Sequence, residues 1–320
     1  MVRTACLPLV IAMSLSAAVK VEKTAYQGWP NCYRVTNGEV ELVVTSDIGP
    51  RIMRYAFVGG QNFFAEFKEG LGTSGEKEWQ ARGGHRIWIG PEDPVYTYAP
   101  DNGPVKITVT PDGLEATQPV EPLTGVEKQI VVKMAASGSK VDVIHRLRNR
   151  SAMPLEFAAW ALTMMAPGGV GLTGLPPRGT HPKDLAPANP LVMWPYTDLS
   201  DPRWIFTSKY IGLKQDRNAK TPQKVGHWNA DTWGAYLLGG DAFLKRYKPA
   251  ESSRHPDFGT SYQTFTNAGM LEIETMGPMT RLAPGQAVEH IERWSLHRGV
   301  KVERWTDVEL DRALLPILAH

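Results

Sequence analysis

Turn-forming residues punctuate this chain at short intervals, and this spacing limits its possible folds more than any other feature. Asn37-Gly38, a strong hairpin pair, separates alternating apolar segments at 33–35 and 40–45. Segment 51–57 ends at Gly59-Gly60, and 106–110 faces 114–117 across Pro111-Asp112-Gly113. Segments 126–134 and 140–147 flank Ser137-Gly138-Ser139, and 155–165 runs into Pro167-Gly168-Gly169. Further strands are predicted at 233–238, 242–247, 261–266, 270–276 and 287–297. Connections this short suit antiparallel pairs, because parallel pairs need crossovers of a dozen residues or more. The expected fold is therefore all-β, an antiparallel sandwich or barrel. Helical periodicity is confined to 302–318, with Trp305, Val308, Leu314 and Leu315 as its packing residues and Pro316 shortening it. The Pro- and Gly-rich stretch 171–202 reads as a long irregular wall or lid.

At 320 residues and 42% hydrophobic content, the chain can bury a large core. A net charge of +2 without a basic stripe argues against a nucleic-acid partner. Residues 1–18 carry Arg3, a short apolar run over 5–15 and Ser16-Ala17-Ala18, the pattern of a secretory signal. The expectation is one domain over 19–320, exported to the periplasm or beyond, with no membrane span. Cys6 leaves with the leader, so Cys32 stands alone and is expected to be a buried, inert thiol.

Two groups of residues can carry chemistry. In Met270-Leu271-Glu272-Ile273-Glu274-Thr275 the two acids sit at i and i+2 of a strand and share one face. Neighbouring carboxylates repel, so one keeps its proton to higher pH and can serve as a general acid or base. The second group follows Gly83-Gly84. His85 can act as acid, base or donor, Arg86 can clamp a carboxylate or vicinal hydroxyls, and Trp88 can stack on a ring; Glu92 follows closely. A core role for Trp88 and an Arg–Glu pair holding a loop are the structural alternatives.

Further candidates for substrate contact are Tyr98, Trp160, Trp228 and Lys245, although Trp160 also suits the core and Lys245 a solvated strand position. His145 reads as a structural histidine. The histidine spacings match no metal-ligand pattern and there is no cysteine cluster, so no metal is expected, with scattered calcium ligands left open. No phosphate loop or dinucleotide fingerprint calls for a cofactor.

These residues resemble the galactose mutarotase-like superfamily, and within it an uncharacterised bacterial domain-of-unknown-function branch. The resemblance spans roughly 33–296. It rests on Asn37 to Thr45, Ile48 to Arg54, Gly59-Gly60-Gln61-Asn62, Gly83 to Trp88, Asn149 to Trp160, and Leu271 to Thr275 with Leu282-Ala283-Pro284-Gly285-Gln286 following. It implies a β-supersandwich that binds sugars on one sheet face, with a catalytic Glu at Glu274 or Glu272. It also implies a Gly-Gly-x-Pro segment, where Arg86 stands in place of Pro. The two histidines that serve the epimerases of the superfamily have no counterpart at Trp160-Ala161-Leu162-Thr163 or around 125–128. The resulting expectation is an exported carbohydrate-active protein with Glu274 or Glu272 as base and His85 as partner acid. The rival is a non-catalytic carbohydrate-binding module. The site so read requires His85, Arg86 and Glu272 or Glu274 to converge on one cavity.

Overall fold

The computed structural model describes residues 18–319, so the leader expected at 1–18, including Cys6, lies outside the described residues except for Ala18. Two antiparallel sheets, of eleven and ten strands, pack face to face. In the first sheet the strands Arg51–Phe57, Gly84–Gly90, Leu155–Met165, Leu271–Met276, Tyr262–Thr266 and Gln223–His227 lie side by side. The centre of the second sheet is built from Asp241–Tyr247, Ala287–His297 and Val141–Asn149. Alternation explains the layering. Val126, Ile130 and Val132 on one strand and Val141, Val143 and Leu147 on its neighbour are buried in the core between the sheets, mostly alternating with polar residues apart from Val131 and Ile144. Between the sheets, Tyr55, Phe64, Phe243 and Trp294 pack in tilted and edge-to-face pairs at centroid distances of 5.5–6.4 Å.

Several strands arise where the sequence pattern is weak. Lys20–Tyr26, Tyr210–Lys214 and Gln223–His227 are paired strands without clean alternation. The stretch expected to be irregular over 171–202 contributes Val170–Gly174 and Leu191–Met193 to the two sheets, while 175–190 and 194–202 run without strand. The hairpin at Asn37-Gly38 forms as expected, with the Asn37 carbonyl oxygen Oδ1 accepting from the amides of Glu39 and Val40.

The C-terminal helix spans Asp307–Leu318, with the Thr306 side chain accepting from the Glu309 amide. Its buried stripe is Leu310, Leu314 and Ile317, spaced i, i+4, i+7; Val308 and Leu315 are exposed, against expectation. Pro316 does not shorten the helix, because it sits in the last turn where little remains to be broken. Cys32 is a buried free thiol, and burial pushes its pKa up to about 11. Among the described residues no helix is long and apolar enough to cross a membrane.

Candidate functional site

The strand Gly84–Gly90 begins where Gly83 and Gly84 take positive φ values of 88° and 71°. A Cβ on Gly83 would fall 1.9 Å from the Ala65 carbonyl oxygen, and one on Gly84 2.5 Å from that of Ile52. Only glycine lets the chain pass this close. The strand is then held against Leu155–Met165 with Trp88 opposite Trp160 and Arg86 opposite Leu162. On the far edge of that strand Leu162 faces Glu274 and Met164 faces Glu272. Gln263 and Phe265 continue the row, followed by Lys224 opposite Phe265. Cross-strand partners share a face, so these side chains all point to the outer side of the first sheet, away from the second.

There they form a cleft of about 370 Å³, roofed by Trp79, Glu92, Tyr98, Tyr196 and Pro222 from loops. Arg86, Trp88, Glu92, Tyr98, Trp160 and Glu272, all anticipated from sequence, line it together. Arg86 is nearly buried. Its guanidinium stacks 4.1 Å over Trp88 and 5.3 Å over Trp79, and its Nη2 donates to Glu272 at 3.3 Å. The Tyr98 hydroxyl donates to Glu92 at 2.6 Å at the rim.

Glu274 lies just behind the floor of the cleft and is not itself among the residues that line it. It is fully buried beneath Trp160 and Lys224. Its Oε2 accepts the Trp160 indole N–H at 2.8 Å and lies 3.4 Å from the Lys224 ammonium; its Oε1 has no protein partner. Burial raises its pKa and neighbouring Glu272 adds to that, while Lys224 and the indole N–H oppose it; the carboxyl is pushed up to about 7. Lys224 itself stacks against Trp160 and Trp194 at 5.0 and 4.6 Å.

His85 is not part of this cleft. It alternates with Arg86 and points the other way, into the space between the sheets. There Thr163 bonds its Nδ1 at 2.8 Å and His145 Nε2 meets its Nε2 at 2.6 Å. His145 Nδ1 reaches the His290 carbonyl at 2.8 Å, which fixes its proton there. Neutral rings therefore close one chain: Thr163 donates to His85, His85 to His145, and His145 to the backbone. Burial pushes the His85 pKa well down, consistent with a neutral ring.

Lys245 lies in the same interior cluster, fully buried and 2.8 Å from Glu292; it is neither solvated nor in the cleft. Glu292 also accepts from Thr275 at 2.6 Å and from the Trp294 indole at 2.8 Å. Burial would raise the Glu292 carboxyl, but the Lys245 ammonium outweighs it and holds it well below the usual carboxylate range. His85, His145 and Glu292 each present a ligand atom within 4.8 Å of the others, a grouping that no sequence spacing suggested. The 2.6 Å contact between the two Nε2 atoms is a hydrogen bond, since two nitrogens on one zinc ion would sit about 3.3 Å apart.

Trp228 also lies outside the cleft, its indole donating to the Ala250 carbonyl at 2.9 Å. Conversely, sequence reasoning missed Lys224, Trp79, Tyr196 and Phe265. Lys224 follows Pro222-Gln223 in a short strand with no apolar alternation, and Trp79 sits in a polar loop; neither carried a local signal.

The architecture has known counterparts. A galactose mutarotase-like protein from Lactobacillus casei superposes with a TM-score of 0.52 and 10% identity, covering 83% of this chain and all of its own. The chain has the galactose mutarotase-like fold. Another galactose mutarotase-like protein, from Clostridium acetobutylicum, gives a TM-score of 0.51 at 7% identity over 88% of this chain and 99% of its own. A Klebsiella pneumoniae protein provisionally named an aldose 1-epimerase gives 0.56 at 9% identity over 93% of this chain and 87% of its own. No protein-family model and no curated protein matches the sequence. At such identities the galactose mutarotase-like likeness speaks to the fold, and the chemistry must be argued from this chain's own cleft.

Proposed function

We propose that the outer-face cleft binds a sugar and that Glu274 acts on it as a general base, in a reaction of the aldose-epimerase kind. The observation that carries this is Glu274 itself: a buried carboxyl with its pKa pushed up to about 7 and one oxygen, Oε1, without a partner. Trp88, Trp160 and Tyr98 give the cleft an aromatic lining of the kind a pyranose packs on, with Arg86 already seated on Trp88 and Lys224 on Trp160. Glu274 takes the proton of the anomeric hydroxyl as the bond between C1 and the ring oxygen breaks, and the Lys224 ammonium, 3.4 Å away, protonates the ring oxygen. Reclosure on the other face of the carbonyl reverses both transfers. His85 has no part in this scheme, because it faces the opposite side of its strand. The leader-like residues 1–18 support an exported protein, periplasmic or secreted.

The test is anomer interconversion followed by NMR on a panel of aldoses. Acceleration over buffer that disappears in Glu274→Gln supports the reading; equal rates with and without protein across the panel overturn it.

A second reading has its own support. Glu274 lies wholly beneath Trp160 and Lys224, and the usual paired histidines are absent from the cleft. A non-catalytic carbohydrate-binding module would show saturable sugar binding that survives Glu274→Gln, with no change in interconversion rate.

A further inference from the structure

We infer that the cleft is built for a hexuronate, a sugar carrying a carboxylate, with Arg86 as the carboxylate anchor. This rests on the reading of the cleft as a sugar site and goes on to name the class of sugar.

Donors outnumber acceptors at the Arg86 end of the cleft. Arg86 is 2% exposed, yet its Nε and Nη1 have no acceptor. The indole N–H groups of Trp79 and Trp88, whose rings flank that guanidinium, have none either. Together these are about five N–H bonds without a partner around one end of the cleft. Buried donors left unmade are costly, so a ligand that satisfies them is favoured. A hydroxyl group brings its own proton and accepts weakly. A carboxylate is acceptor-only, offers about four lone-pair sites, and gains charge assistance from the guanidinium. Behind the cleft, Glu274 Oε1 has no partner, and a sugar hydroxyl can donate to it when the carboxyl is ionised or accept from it when protonated. A hexuronate presents both complements, a carboxylate at one end and hydroxyls at the other.

Charge narrows the class further. Two cations, Arg86 and Lys224, face Glu272 and the carboxyl of Glu274. Glu92 lines the same cleft, so with the Glu274 carboxyl protonated two cations face two carboxylates, and the choice of a carboxylate ligand rests on the unpartnered donors around Arg86. A phosphate dianion would add a second negative charge beside Glu272, which already lies 3.3 Å from the same guanidinium. The Arg86 nitrogens are shielded by the two indoles, and Trp79 is the less buried of these and sits on a loop. The carboxylate therefore reaches Arg86 by displacing Trp79, and binding should change tryptophan fluorescence.

The experiment is calorimetric titration of the full chain with D-galacturonate, D-glucuronate, D-galactose, D-glucose and glucose 6-phosphate near pH 7. The expected result is uronate affinity about tenfold or more above that of the matching neutral sugar. Arg86→Gln should shrink that gap to under about threefold, and Arg86→Lys, which keeps the charge opposite Glu272, should retain the fold and part of the gap. Neutral sugars binding as tightly as uronates would overturn the hexuronate assignment while leaving the sugar site standing. Tighter binding of the 6-phosphate would overturn the choice of carboxylate. Absence of binding by every sugar would remove both the assignment and the reading beneath it.

Discussion

The Trp160 indole donates to Glu274 at 2.8 Å from the strand next door, so the aromatic wall of the cleft is also a hydrogen-bond partner of its buried acid. Sugar stacking and the proton affinity of Glu274 are thereby tied to one side chain. Removing the N–H while keeping an aromatic ring should raise the Glu274 midpoint above about 7, by up to roughly one unit, since that bond favours the ionised form. Carboxyl NMR of Trp160→Phe against wild type reads this directly. A midpoint that stays or falls would show that the indole does not hold the charge.

Glu274 also makes stability depend on pH with a definite sign. Its folded pKa of about 7 lies above the ordinary 4.5, so between these values the folded state keeps a proton that the unfolded chain has lost. Stability therefore falls as pH rises through this window, by roughly 2–3 kcal/mol from this group. Urea unfolding at pH 5 and pH 8 should show that loss in wild type and a clearly flatter dependence in Glu274→Gln. An unchanged slope in the variant would mean another group sets it.

His85 is predicted to be a structural residue. Replacing it by Ala leaves Thr163 and His145 without their shared partner in a dry interior. His85→Ala should cost roughly 1–3 kcal/mol of stability and leave sugar affinity within about twofold of wild type. Loss of affinity without loss of stability would restore it to the site.

The Lys245–Glu292 pair offers a larger effect. Glu292→Gln leaves the Lys245 ammonium without its counter-charge in a fully buried position. The expected cost is about 3–5 kcal/mol, against near-zero effects for exposed pairs such as Arg293–Asp142, 3.9 Å apart. Denaturant midpoints of the two Gln and Asn variants, Glu292→Gln and Asp142→Asn, make the comparison.

Gly83→Ala should be the most damaging change of a single methyl group near the cleft. The position needs φ of 88° and leaves no room for a Cβ beside the Ala65 carbonyl. Strain of about 1–3 kcal/mol from the backbone alone comes on top of the steric shift, and the strand carrying Arg86 and Trp88 moves with it. Thermal unfolding and sugar titration should both suffer; a stable variant with intact binding would contradict the close approach.

Much of this was legible in the chain. Alternation and Asn-Gly, Pro-Gly and Gly-Gly turns gave most strands of the two sheets. The i, i+2 spacing put Glu272 and Glu274 on one face, and the residues after Gly83 marked the opposite wall of the same cleft. The same period-two rule puts His85 and Arg86 on opposite faces of their strand, which is why the expectation that both would meet a late-strand Glu in one cavity failed. Residues whose role depends on partners far along the chain left no local trace. Lys224 is one such case, in a strand without alternation, and Lys245 is another, a lysine that looks solvated until its neighbouring sheet is in place.

Sequence by itself determined most of the strands, their turns and the parity of their side chains, because these follow from local backbone sterics and a two-residue repeat. Tertiary structure alone decided which parity faces the interior. Packing one sheet on the other turned His85, His145, Lys245 and Glu292 into a closed polar cluster, and it left Arg86, Trp160 and Glu274 on the face that opens to the cleft. That choice depends on the summed burial of two whole sheets, which no window of the chain contains.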